Sequence, residues 1–280
     1  MAAPPKQLSS TAAAPLAALL VLALAAAAGP PAAAQSCGCA PDLCCSRFGF
    51  CGTGRDYCGA GCQSGPCAAP ATNNVSVASV VTPAFFDALL AQAAPGCEAA
   101  GFYTRDAFLA AAGYYPAFGR TGTVDDSKRE IAAFFGNANH ETIRFCYINE
   151  INGPSKNYCD PSNTQWPCQA GKGYYGRGPL QISWNYNYGP AGQSIGFDGL
   201  GDPDAVARSA VVAFRAALWY WMNSVHEPLA AGGGFGATIR AINGALECDG
   251  KNPSAVSSRV GYYKQFCQDF GVDPGSNLTC

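Results

Sequence analysis

The sequence predicts a mainly α protein: a large α-rich domain behind a small module stapled by disulfides. Three observations carry that expectation. Apolar residues recur at helical spacing through most of the chain beyond position 82, and convincing period-two alternation is scarce. Helix-start signals recur as well, among them Thr82-Pro83 and Asp202-Pro203. The fifteen cysteines are unevenly split, eight between Cys37 and Cys67 and seven scattered from Cys97 to Cys280. The first block is too short to build a core and must be cross-linked. The second stretch is long enough for a sizeable core.

Residues 1–34 read as a signal peptide. Lys6 is followed by an uncharged apolar run over 16–28 and by Ala32-Ala33-Ala34 just before Gln35. The run is too short to span a membrane. A secreted, extracellular protein is expected, and in that compartment so many cysteines mean disulfides. Removing Lys6 takes the formal charge from −2 to −3. A mildly acidic chain has no electrostatic reason to bind nucleic acid or an anionic membrane. A neutral polymer fits better as a partner, and a monomer is expected.

Residues 35–67 form the module. Its cysteines are Cys37, Cys39, Cys44, Cys45, Cys51, Cys58, Cys62 and Cys67, and spacing alone leaves their pairing open. The block contains no His, and an oxidising compartment argues against zinc. It carries Ser46, Phe48, Phe50 and Tyr57. In an extended segment Phe48 and Phe50 would share one face. So small a domain has no interior for them, and exposed rings suit the apolar faces of pyranose sugars.

The block CGCAPDLCCSRFGFCGTGRDYCGAGCQSGPC resembles the hevein-like chitin-binding domain over its whole length. The resemblance implies pairs Cys37–Cys45, Cys39–Cys51, Cys44–Cys58 and Cys62–Cys67. It also implies N-acetylglucosamine binding by Ser46, Phe48, Phe50 and Tyr57. Members often carry Trp at the Phe positions, so weaker stacking is expected.

Residues 68–81 lack cysteine, charge and helical period, and read as a flexible tether. Asn74 and Asn277 begin glycosylation sequons. Residues 82–280 form the large domain. Helices are expected over 83–93, 106–112, 127–135, 237–246 and 257–270. A long, centrally buried one is expected from Pro203 to about Val225. Loop 151–189 is dense in Tyr, Trp, Asn, Gln and Ser, the composition of a sugar-binding groove, with Cys159 and Cys168 closing a small loop around Trp166.

Glu141 and Glu150 are the candidate chemistry. The chain has six Glu and two His, and two of those Glu and His140 fall within eleven residues. Paired carboxylates suit glycosidic-bond hydrolysis. On one continuous helix, nine residues would set them on opposite faces and roughly 13 Å apart. The helix must therefore break between them, with Cys146 as the anchor. A zinc helix needs a second His four residues after His140, where Arg144 stands. Neither metal nor other cofactor is expected.

The segments NANHETIRFCYINEINGPSKNYCD, WPCQAGKGYYGRGPLQISWNYNYG, INGALEC and RVGYYKQFC are similar to plant family 19 chitinases, and with the module to those of class IV. The resemblance implies a lysozyme-like α-rich fold and an endochitinase acting by inversion on β-1,4-linked N-acetylglucosamine, in defence against fungi. It implies Glu141 as general acid, Glu150 as general base and Ser183 as a holder of the water. Trp166, Tyr174, Gln181, Asn187 and Asn243 would line the groove, and Glu247 and Arg259 would form a charge network around Glu141. It further implies pairs Cys97–Cys146, Cys159–Cys168 and Cys248–Cys280, leaving Cys267 free. The alternatives are a chitin-binding lectin with an inactive large domain, or an enzyme acting on peptidoglycan or chitosan.

Overall fold

The computed structural model describes residues 38–46, 49–58, 62, 64–66 and 72–280. The proposed signal segment, Cys37, Phe48 and Cys67 lie outside these residues.

In the module, strands β1 (Cys44–Cys45) and β2 (Cys51–Gly52) pair antiparallel, and α1 (Arg55–Cys58) follows. Disulfides Cys39–Cys51 and Cys44–Cys58 cross it. The expectation that Phe48 and Phe50 share one face rests on Phe48, which lies outside the described residues. Gly49 N–H donates to Ser46 O, and Gly49 takes φ +78°, which glycine adopts without penalty.

The large domain is helical, as expected. Much of the supposed tether, however, is built into it. Thr72 bridges to Thr121, and the Asn73 amide donates to Gly122 O, Thr123 O and Ser127 Oγ. Ser76 caps α2 (Val77–Val80), and Val77 and Val81 are buried in the main core. Arg105 holds this segment by donating to Val81 O and Ala78 O. Short polar residues that looked like linker chemistry are here caps and docking amides.

Next come α3 (Pro83–Leu90) and α4 (Arg105–Ala112), each capped by a threonine. The centre is α5 (Val124–Glu141), longer than its apolar pattern implied. A capping box starts it: Thr123 Oγ1 accepts the Asp126 N–H while Asp126 accepts the Thr123 N–H. Its residues from Glu130 to Asn139 are buried on every side. Gly136 lets α11 (Pro253–Asp269) approach closely, since a Cβ there would lie 3.0 Å from the Tyr263 nitrogen. Aromatic contacts fill the core, with Phe108 meeting Phe118 and Phe214 edge-on and Phe135 at a tilt.

The long helix expected from Pro203 to about Val225 is broken. After α7 (Ala205–Arg208), Ser209 is extended, and its side chain accepts the Val212 N–H to start α8 (Ala210–Tyr220) afresh. Serine competes for backbone amides and so favours such restarts. The chain continues through a π-helical turn (Trp221–Val225) and α9 (His226–Pro228) to α10 (Gly234–Glu247).

The 151–189 segment is carried by a second, smaller core of Tyr174, Ile182, Tyr188, Ala191, Val206 and Ala213. Its end is helical, α6 (Asn185–Ile195), an element the sequence hid behind Gly189 and Pro190. Buried Arg177 organises it by donating to Gly173 O, Tyr188 OH and Asp204. Disulfides Cys97–Cys146, Cys159–Cys168 and Cys248–Cys280 are formed. Cys267 is free and fully buried, and burial pushes its thiol up to about 11, so it is inert.

Candidate active site

The break between the two carboxylates is visible residue by residue. α5 ends at Glu141. Thr142 then turns its hydroxyl back to Ala138 O and accepts the Phe145 N–H. Ile143, Arg144 and Phe145 all take positive φ, at 51°, 62° and 57°. Three consecutive left-handed residues are costly, on the order of 1–2 kcal/mol each, and need anchors. Two are present: the Cys97–Cys146 disulfide, and the Phe145 ring buried against Tyr103. Glu98 adds a third by accepting the Ile148 and Asn149 amides. Glu150 then joins the groove segment, its N–H donating to Gly176 O.

Both carboxylates line one cleft of about 520 Å³. Gln181, Ser183, Trp184 and Asn243 line it too, and also belong to its continuation past Asn187 and Tyr220. A somewhat larger cavity, about 620 Å³, lies between α3 and α11, where Phe85, Phe266 and Phe270 line it together with polar residues such as Gln92 and Gln265. Its one carboxylate, Asp269, has no carboxylate partner there, so chemistry favours the smaller space.

The two carboxylates differ in setting. Glu141 is mostly buried, its side chain 17 % exposed. Arg259 donates to it at 2.5 Å, but the same guanidinium also binds Glu247 through two hydrogen bonds of 2.7 and 2.6 Å. Glu247 thus offsets part of the charge that Arg259 lends to Glu141. Burial then dominates, and with Glu247 and Glu150 nearby the Glu141 carboxyl is pushed above its ordinary value. For Glu150, burial pulls upward but is outweighed. Lys156, the Gly176 N–H and the Tyr158 hydroxyl bind the charged form and hold it below the ordinary carboxylate range. His140 beside Glu141 is driven down to about 4 by burial and then by Arg259, so it is neutral; its Nδ1 meets Ser258 Oγ at 3.1 Å.

The structure gathers some of the expected site residues and relocates others. Gln181 lines the cleft at φ +46°, its amide donating to Ile148 O and Gly178 O, which ties the Glu150 segment to the groove loop. Ser183 stands beside it, donating to Gln181 O. Asn187 lines the continuation and donates to Ser183 O. Asn243 sits at a kink in α10, with φ −144°, and donates to Glu247.

Tyr174 does not line the groove. It is fully buried, and its hydroxyl donates to Leu200 O and accepts the Gln169 N–H, so it supports the groove from beneath. Trp166 is outside the cleft lining as well: its ring covers Gly189 on α6, where any Cβ would collide at 2.4 Å. Glu247 and Arg259 are buried behind Glu141 and cannot reach a substrate. In the module, Phe50 is 47 % exposed and Tyr57 packs over Gly52. Ser46 is buried and accepts the Phe50 N–H, so it does not present its hydroxyl to solvent.

Sequence reasoning missed Trp184, Tyr158, Lys156 and Glu98. Trp184 lines the cleft, stacked on Tyr186 at 5.7 Å and met edge-on by Tyr158. Its place between Ser183 and Asn185, inside the aromatic run, was the available signal. Glu98 accepts a backbone amide 50 positions away, and Lys156 and Tyr158 meet the Glu150 carboxylate only because the loop doubles back, which no spacing announces.

A family model described as "Chitinase class I" matches residues 80–231 and 228–280, and one described as "Chitin recognition protein" matches 28–67. "Chitinase 6" of Oryza sativa subsp. japonica is 80% identical over 219 residues, covering 78% of this chain and 81% of that protein. "Endochitinase B" of Zea mays is 63% identical over 252 residues, covering 88% and 89%. Among solved structures, a family GH19, class IV chitinase from Zea mays matches with a TM-score of 0.69 at 62% identity, covering 72% of this chain and 98% of that one.

Proposed function

The chain belongs to the family 19 glycoside hydrolases, with a chitin-recognition module ahead of the catalytic domain, and from that premise we propose how its two carboxylates divide the work. It is an endochitinase, binding chitin and N-acetylglucosamine oligomers. Glu141 is the general acid: it gives its proton to the glycosidic oxygen as the bond from the anomeric carbon to that oxygen breaks. Glu150 is the general base: it takes a proton from a water that attacks the same carbon from the opposite face. Ser183, beside Gln181 in the cleft, helps hold that water. One displacement at a β-linkage gives an α-anomer.

The observation that carries this reading is the contrast between two carboxylates in one cleft. Burial favours the protonated form of one, and hydrogen bonds favour the charged form of the other. Neither step asks for a metal. A lectin with an inactive large domain has no matching observation, since both carboxylates line the cleft. Following the anomer first released from a chitin oligomer tests the mechanism. The α form is expected, and a β product would exclude inversion.

The apolar leader and the abundance of cysteines support secretion, and no helix among the described residues is long and apolar enough to cross a membrane. The protein acts as a monomer on fungal wall chitin, in defence. Its mild negative charge supports a neutral polysaccharide, not nucleic acid or membrane, as its partner.

A further inference from the structure

Glu150 enters the cleft on a loop, yet its carboxylate is closely held. Oε1 accepts from Lys156 Nζ at 2.5 Å and from the Tyr158 hydroxyl at 2.9 Å. Oε2 accepts the Gly176 N–H at 3.1 Å. A carboxylate offers about four acceptor positions, so three are taken and one, on Oε2, is left to receive a proton from water.

Local backbone geometry delivers the lysine. The Gly153 N–H donates to Glu150 O, Asn152 takes φ +59°, and a 3-10 turn follows over Gly153–Ser155. The Lys156 N–H closes that turn on Gly153 O. The chain therefore doubles back and sets the ammonium against the carboxylate six residues earlier.

The charges around Glu150 make this cation matter. Glu141 faces it across the cleft and Glu98 lies beneath the same segment, bound to the Asn149 side chain and to backbone amides. Tyr158 is the other titratable group in contact. Among the described residues Lys156 is the cation in ion-pair range of Glu150. Its side chain is 45 % exposed, so its loss removes a charge without opening the core.

Resting on the reading of Glu150 as general base, we propose that Lys156 is its positioning residue, fixing the carboxylate's direction and keeping it ionised as substrate displaces water from the cleft. Filling the cleft with sugar lowers the local dielectric, which would otherwise favour the neutral acid. The ammonium opposes that tendency, and opposes it more strongly as water leaves.

The test uses the full chain with Lys156→Met and Lys156→Arg. Two quantities are read: kcat/KM against pH on a soluble chitin oligomer, and the titration of the Glu150 carboxyl by ¹³C NMR. Lys156→Met should lose about tenfold in kcat/KM on the acid side, with the loss shrinking toward neutral pH, and Glu150 should titrate at higher pH. Lys156→Arg should restore both. An unmoved Glu150 titration, or a loss equal at every pH, overturns the proposal. If the titration moves while the rate profile stays, the lysine's role stands, and the assignment of Glu150 as base falls.

Discussion

The two walls of the cleft hold the same residue type by opposite means. On one wall Glu141 ends a helix buried along much of its length, and behind it Arg259 and Glu247 are nine-tenths or more buried. On the other wall Glu150 rides an irregular segment and is held by an exposed lysine, a tyrosine hydroxyl and one backbone amide. The first wall withdraws water; the second supplies hydrogen-bond donors. One therefore favours the neutral acid and the other the charged base. The lesson is that a catalytic pair needs no difference in residue type when the scaffold supplies the difference in setting.

The most severe way to break the contrast is to remove the acid's proton. Glu141→Gln should cost about 10³-fold or more in kcat while oligomer binding persists; steady-state rates with calorimetric binding check it. Retained turnover would remove Glu141 from the acid role.

A second break is in the buried wall. Arg259→Met strands Glu247 and Glu141 without their cation. Removing one partner of a buried pair costs about 3–5 kcal/mol, which a chemical denaturation curve would read. A loss below about 1 kcal/mol would place Arg259 in the class of weak surface pairs.

The smallest expected effect lies outside the cleft. Phe50→Ala removes an exposed ring from the module and should weaken binding to insoluble chitin by about 1 kcal/mol, near fivefold. Hydrolysis of short oligomers should be unchanged. If oligomer hydrolysis fell too, the module would have a part in the cleft.

How much of this was legible in the sequence follows from what each feature depends on. The helix break between Glu141 and Glu150 was legible because two carboxylates nine residues apart on one helix could not both serve one bond, and the structure realises it through three left-handed residues and the Cys146 anchor. Helices with plain apolar spacing, such as α3 and α4, were legible for the same reason. The break at Ser209 was not, because a serine restart leaves the apolar pattern intact. Tyr174 and Trp166 show the limit of composition: a groove needs rings, but rings also build the layer beneath it, and only burial separates the two. The docking of 72–81 was hidden because Asn73 and Ser76 use the same short side chains that linkers carry. Lys156 was hidden because its contact depends on a 3-10 turn three residues long.

The most direct test of the divided cleft is to titrate both carboxyls in the unliganded protein by ¹³C NMR, assigned with Glu141→Gln and Glu150→Gln. Glu150 is expected to lose its proton below the ordinary range for glutamate, and Glu141 to keep its proton above that range. Activity would then fall at low pH as Glu150 gains a proton and at high pH as Glu141 loses one. The reverse order, or a single shared titration, would contradict the account.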